Sequence, residues 1–81
     1  MRVTVSFYSY FKDLTGCSWV AEELPVGLTL NGLFEHLAMS FPKLAPMRKS
    51  TLMAVGVDYQ DGSYLLKPGD EVALFPPVQG G

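Results

Sequence analysis

Leu30, Leu33, Phe34, Leu37, Ala38 and Phe41 recur at i, i+3, i+4, i+7, i+8 and i+11, the spacing of one face of a 3.6-residue helix. Thr29 places a side-chain oxygen at the N-cap position. Pro42 ends the run, because it has no N–H to donate and disfavours helical geometry at Phe41. Gly32 is the weak residue inside, costing about 1 kcal/mol relative to alanine. Asn31, Glu35, His36, Met39 and Ser40 are left for the outer face. A chain of 81 residues has room for one core. A single helix cannot bury its own stripe, so the other apolar residues must supply the facing layer.

Those residues read as strands. Val3, Val5 and Phe7 alternate with Thr4, Ser6, Tyr8 and Tyr10, the period of a half-buried strand. Phe11 to Gly16 reads as a loop ending in a turn-permissive glycine. A second strand is expected from about Cys17 to Leu24, so the first two form a hairpin. Residues 42–50 hold two prolines and three basic residues and read as an exposed connection. Leu52 to Val57 is a nearly continuous apolar run, expected as a buried strand. Asp61-Gly62 marks a turn, and Ser63 to Leu66 is expected as a short edge strand. Lys67-Pro68-Gly69-Asp70 carries the proline and glycine of a type II turn, and Glu71 to Phe75 is the last strand. The order predicts an α+β fold with a mixed four- to five-stranded sheet covered by one main helix. A hairpin followed by a helical crossover is the β-grasp (ubiquitin-like) arrangement. Residues 1–75 are expected to form this domain and 76–81 a flexible tail.

Charge and composition exclude several functions. Eight acidic residues against six basic ones give a net charge of −2, without the basic stripe of a nucleic-acid binder. No apolar run is long enough to span a membrane, and the alternating N-terminus does not read as a signal peptide. The lone cysteine, Cys17, forms no internal disulfide and no cysteine-rich metal site, so a cytoplasmic setting is expected. Cys17 is expected to pack as a small hydrophobe, and His36 to be a solvated residue on the helix. Glu22-Glu23 and Asp70-Glu71 are neighbours in strands, so their side chains point to opposite faces rather than forming an acid–base pair. No phosphate-binding glycine loop is present.

The chemistry is therefore concentrated in the tail, Phe75-Pro76-Pro77-Val78-Gln79-Gly80-Gly81. With 8 glycines in 81 residues, a terminal pair has a chance of roughly 1% from composition. Pro76 and Pro77 favour an extended path and direct the chain away from the sheet. Six extended residues reach about 20 Å. Gly80 and Gly81 lack side chains, so they fit a channel that any Cβ would block. The only group such a tail delivers is the α-carboxylate of Gly81. A carboxylate is a poor electrophile until a partner converts it to an acyl-adenylate. A sulfur nucleophile then gives a thiocarboxylate, and a lysine amine gives an isopeptide. No side chain of this chain runs either step, so it reads as a carrier or tag.

The stretch Gly69-Asp70-Glu71-Val72-Ala73-Leu74-Phe75-Pro76-Pro77-Val78-Gln79-Gly80-Gly81 resembles the C-terminal signature of the small subunit of molybdopterin synthase, the MoaD family of ubiquitin-like sulfur carriers. The first strand with Phe11-Lys12-Asp13-Leu14-Thr15-Gly16 resembles that family's N-terminal segment. Gly56 departs from it, standing where many relatives have asparagine. The resemblance implies that Gly81 carries the acyl-adenylate and then the thiocarboxylate, and that Gly80 threads beside it. It implies that Phe75, Pro76, Pro77, Val78 and Gln79 form the neck that docks on partners. Those partners would be the large synthase subunit, a ubiquitin-activating-like adenylyltransferase that uses ATP, and a sulfur donor protein. The carrier would bind no cofactor itself and would be the non-catalytic sulfur-donor subunit of a heterotetramer. It would supply sulfur to cyclic pyranopterin monophosphate in molybdenum cofactor biosynthesis.

Three other readings share these residues. A carrier for thiamine or another sulfur metabolite would be activated identically, although the two prolines after Phe75 favour the pterin pathway. A ubiquitin-like protein modifier would use the same adenylate. A binding module without tail chemistry would function without Gly80 and Gly81.

Overall fold

Alternation along Arg2–Phe7 (β1) drives Val3, Val5 and Phe7 to one side, where each is essentially inaccessible to solvent. The fold is seen in a computed structural model that describes residues 1–77. A short helix, Phe11–Thr15 (α1), follows and buries Phe11. β2 (Trp19–Glu23) pairs antiparallel with β1, Val5 opposite Val20. The main helix is Leu30–Ser40 (α2), and a 3-10 helix, Pro42–Met47, comes next. β3 (Leu52–Val55) and β4 (Asp58–Tyr59) form a small hairpin, and β5 (Glu71–Phe75) closes the chain. The sheet order is β2-β1-β5-β3-β4, with β1 and β5 parallel at its centre and the other pairs antiparallel. This is the expected mixed sheet and β-grasp topology.

α2 forms as its stripe dictates. Leu30, Leu33, Phe34 and Leu37 are buried against Val3, Val5, Phe7, Val72 and Leu74 of the central strands. The Thr29 hydroxyl accepts from the Gly32 N–H at 3.1 Å, satisfying one orphan donor of the first turn. Phe41 leaves helical geometry before Pro42, and its ring meets Phe7 edge-on with centroids 5.8 Å apart. Gly32 has a packing reason: a Cβ there would stand 2.5 Å from Leu28 Cδ1. The glycine thus admits the Leu28 side chain, which packs on the core.

Four expectations are corrected. Phe11 to Gly16 is not a plain loop: one helical turn forms, capped by Gly16 at φ +77°. One turn is too short to show a period, but burial of Phe11 holds it in place. Residues 42–50 are not wholly exposed, since prolines suit the start of a 3-10 turn and that turn buries Leu44 completely. Lys43, Arg48 and Lys49 do stay exposed.

The strand from Leu52 stops at Val55. Gly56 turns the chain in the left-handed region at φ +62°, and Val57 is 98% exposed at the hairpin tip. The hairpin turn is therefore at Gly56-Val57, and Asp61-Gly62 makes a separate turn, as expected, in which Tyr64 N–H donates to Asp61 O at 3.2 Å. Ser63 to Leu66 is not a strand either. Only Leu65 makes an isolated bridge, to Thr29, while Leu66 N–H bonds Leu28 O at 2.9 Å and its side chain is buried. The Lys67–Asp70 turn is as expected, with Gly69 at φ +86° and Asp70 N–H donating to Lys67 O at 3.1 Å.

Candidate functional site: the sheet face and the tail exit

Parallel pairing of β1 and β5 puts their C-terminal ends at one pole of the sheet. The tail leaves from that pole. Leu74 faces the helix, so Phe75 faces the opposite side of the sheet. There the Tyr8 ring stacks on Phe75 with centroids 4.6 Å apart and planes 14° apart. Tyr59 of β4 tilts against the same ring at 6.2 Å. Tyr8 N–H also donates to Leu74 O at 3.2 Å, tying the end of β1 to the last strand. The neck residue is thus held by aromatic rings from two strands far apart in sequence.

The uncovered face continues from this cluster. Register aligns Trp19, Ser6, Ala73, Ala54 and Tyr59 in one row across all five strands. Three small residues lie between two aromatics that are 59% and 68% exposed. Leu52, opposite Phe75, and Tyr8 extend the apolar surface toward the tail. Exposed aromatics on a sheet side that carries no helix mark an interaction surface rather than a core.

Of the sequence-predicted site residues, Phe75 ends β5 half-buried, and Pro76 and Pro77 follow it, also half-buried. Val78, Gln79, Gly80 and Gly81 lie outside the described residues. His36 is exposed on α2, and its Nε2 is 3.1 Å from Glu22 Oε2 on β2. Cys17 is half-buried against the core, with Sγ 3.7 Å from Thr15 Oγ1, the packing role expected of it. Among the described residues there is no cavity, no group of side chains able to hold a metal ion, and no helix long and apolar enough to cross a membrane.

Sequence reading missed Trp19, Tyr8 and Tyr59 as surface groups of the site. The signal was present for Tyr8: it falls on the polar side of the β1 alternation, where an aromatic has no core to enter. Tyr59 gave no such signal, because β4 is two residues long.

A family model, that of the ThiS family, matches residues 5–81. The chain belongs to the ThiS family. Among its relatives, the molybdopterin synthase sulfur carrier subunit of Drosophila yakuba is 32% identical over 84 residues, covering 100% of this chain and 92% of that one. A Pyrococcus furiosus protein assigned as subunit 1 of molybdopterin converting factor superposes with TM-score 0.88 at 28% identity, covering 96% of this chain and 99% of that one. One chain of the protein–protein complex of subunits 1 and 2 of molybdopterin-converting factor from Helicobacter pylori superposes with TM-score 0.70 at 23% identity over the full length of both chains. The ThiS family match and these relatives bear out the resemblance seen in the sequence, and the superpositions bear out the β-grasp fold.

Gly56 turns the β3–β4 hairpin with its backbone left-handed at φ +62°, the conformation that glycine and asparagine tolerate best.

Proposed function

We infer that this chain is the sulfur carrier subunit of a molybdopterin synthase. The observation that carries the inference is the aromatic anchoring of Phe75 at the end of β5, directly before the Pro-Pro-Val-Gln-Gly-Gly sequence. A stiff neck on a folded body followed by side-chain-free residues suits delivery of a backbone carboxylate into another protein. The names of the curated relatives favour the pterin pathway over a carrier for thiamine.

The Gly81 carboxylate attacks the α-phosphate of ATP in a partner adenylyltransferase, and pyrophosphate leaves. A persulfide of a donor protein attacks the acyl carbon and AMP departs, leaving an acyl disulfide; a thiol then attacks the donor's sulfur, releasing the thiocarboxylate and leaving a disulfide behind. In the synthase that sulfur attacks a carbon of the pyranopterin substrate, and the oxygen substituent on that carbon leaves with the bonding electrons. Water then releases the acyl group and restores the carboxylate. Each carrier delivers one sulfur, so two loadings supply the two that molybdopterin needs. This chain contributes the carboxylate, the threading glycines and the docking surface, and its partners perform the activation.

The apolar sheet face beside the neck is the surface that meets the large subunit. Trp19, Tyr59, Tyr8 and Leu52 surround small residues on which a partner's apolar side chains can seat. Reconstitution tests this reading. Sulfur-loaded chain mixed with the large subunit from the same organism should convert cyclic pyranopterin monophosphate to molybdopterin. A chain lacking Gly80 and Gly81 should give none. Equal product from both chains would refute the proposal.

A further inference from the structure

The net charge of −2 conceals a separation of charge along the sheet. The pole where β1 and β5 end also holds the start of β2, the start of β3, α1 and the 3-10 helix that packs on it. Lys12 of α1, Lys43 of the 3-10 helix, and Arg48 and Lys49 just after it belong to this pole. All four are exposed. The acidic groups facing them are Asp13 on α1 and Glu35 on α2, whose carboxylate meets Arg48 at 2.7 Å.

The opposite pole is where β1 and β5 begin and β2 and β3 end. It carries Glu22, Glu23, Asp58, Asp70 and Glu71 against Arg2 and Lys67. His36 lies beside Glu22 at 3.1 Å and the Met1 ammonium donates to Leu24 O at 2.6 Å at this same end, while Asp61 belongs to neither group. Four exposed cations thus lie at the end of the sheet from which the tail leaves, carried by α1 and the 3-10 helix region, and carboxylates outnumber cations at the far end.

We propose that this basic pole is an electrostatic guide that turns the chain tail-first toward partners whose tail-accepting mouth is rimmed by acidic side chains. The inference rests on the reading that the tail enters a partner. A pocket that binds a terminal carboxylate, and triphosphate during activation, must be positive inside. The carrier's lysines are attached to the body and stay outside such a pocket, landing around its entrance. If that entrance were basic as well, Lys12, Lys43 and Lys49 would repel it at the moment the tail has to enter. A rim of Asp and Glu resolves the conflict, because the rim attracts the body while the pocket attracts the tail. Complementary charge of this kind acts mainly on association rate, and raises it by about 10-fold to 1,000-fold.

The test measures association of the full chain with the molybdopterin synthase large subunit from the same organism by stopped flow. Salt is varied from about 0.01 to 1 M, over which the screening length falls from about 30 to about 3 Å. Three proteins are compared: wild type, the triple variant K12E/K43E/K49E, and the far-pole variant E23K/D58K/E71K. The wild-type rate should fall at least about tenfold across the range. The basic-pole variant should associate at least about tenfold more slowly at low salt and show little or inverted salt dependence. The far-pole variant should keep a rate at or above wild type. Circular dichroism on the same samples confirms that the exposed substitutions leave the fold intact. A wild-type rate independent of salt, or equal losses in both variants, overturns the guide while leaving the carrier reading in place. Absence of wild-type binding at every salt concentration overturns both.

Discussion

The ring of Tyr8, just past the end of β1, lies flat on the ring of Phe75, at the end of β5, with centroids 4.6 Å apart. The two residues are 67 positions apart in sequence and meet because β1 and β5 run parallel. Phe75 is the last strand residue before Pro76. The contact therefore fixes the point from which the tail departs. Tyr8→Ala should cost about 0.5–1.5 kcal/mol for the lost ring pair, whereas Tyr8→Phe should cost little. Denaturant unfolding of both variants checks this. Equal losses would place the effect in the hydroxyl instead of the stack.

Leu37 lies at the centre of the α2 stripe and is fully buried. Leu37→Ala should destabilise the fold by about 2–5 kcal/mol. That is a large share of the stability of a domain this small, typically about 5–15 kcal/mol. Thermal and urea unfolding should agree on the loss. A change below about 0.5 kcal/mol, the scale of an ordinary surface substitution, would contradict the assignment of the core.

Gly56 sits at φ +62° with open space around the position its Cβ would take. Conformation, not crowding, decides what can replace it. Gly56→Asn should be nearly neutral. Gly56→Val should cost more than the roughly 1–2 kcal/mol that left-handed geometry imposes on an ordinary residue, because β-branching adds to the strain. Unfolding midpoints of the two variants provide the comparison, and a Val variant as stable as the Asn variant would contradict it.

Asp61 is exposed, yet its carboxylate is held below the usual range by two hydrogen bonds, from the Ser63 hydroxyl and from the Ser63 N–H at 2.8 Å. A carboxyl with a lowered folded pKa stabilises the fold above its unfolded pKa. That contribution disappears as pH falls through the folded value. Ser63→Ala removes the hydroxyl contact and should move the Asp61 titration up toward the ordinary range. Carboxyl NMR titration of both proteins reads this directly, and an unchanged midpoint would show that the backbone N–H alone sets it.

Much of this architecture was legible because long-range burial wrote local patterns. The α2 stripe, the Thr29 cap and the Val3, Val5, Phe7 alternation each reflect one buried face, and each stands where expected. Features that depend on partners distant in sequence were not legible. Leu44 is buried although it lies between two prolines and among cations, because α1 and α2 cover the 3-10 helix. Leu66 is buried by backbone docking on Leu28 without forming a strand. The tail motif could be read residue by residue, whereas its support from Tyr8 and Tyr59 needed the sheet order. The charge separation was hidden for the same reason, since Lys12 and Lys43 come to one end only when α1 packs against the 3-10 helix.

The proposed carrier role rests on the backbone carboxyl of Gly81 as the group that partner enzymes load with sulfur. The most direct measurement is intact-mass spectrometry of the chain after incubation with ATP, the adenylyltransferase from the same organism and a sulfur donor. The account predicts a mass increase equal to replacement of one oxygen by sulfur, confined by fragmentation to Gly81 and absent when Gly81 is deleted. An unchanged mass for the complete chain, or the same increase in the deleted one, would contradict it.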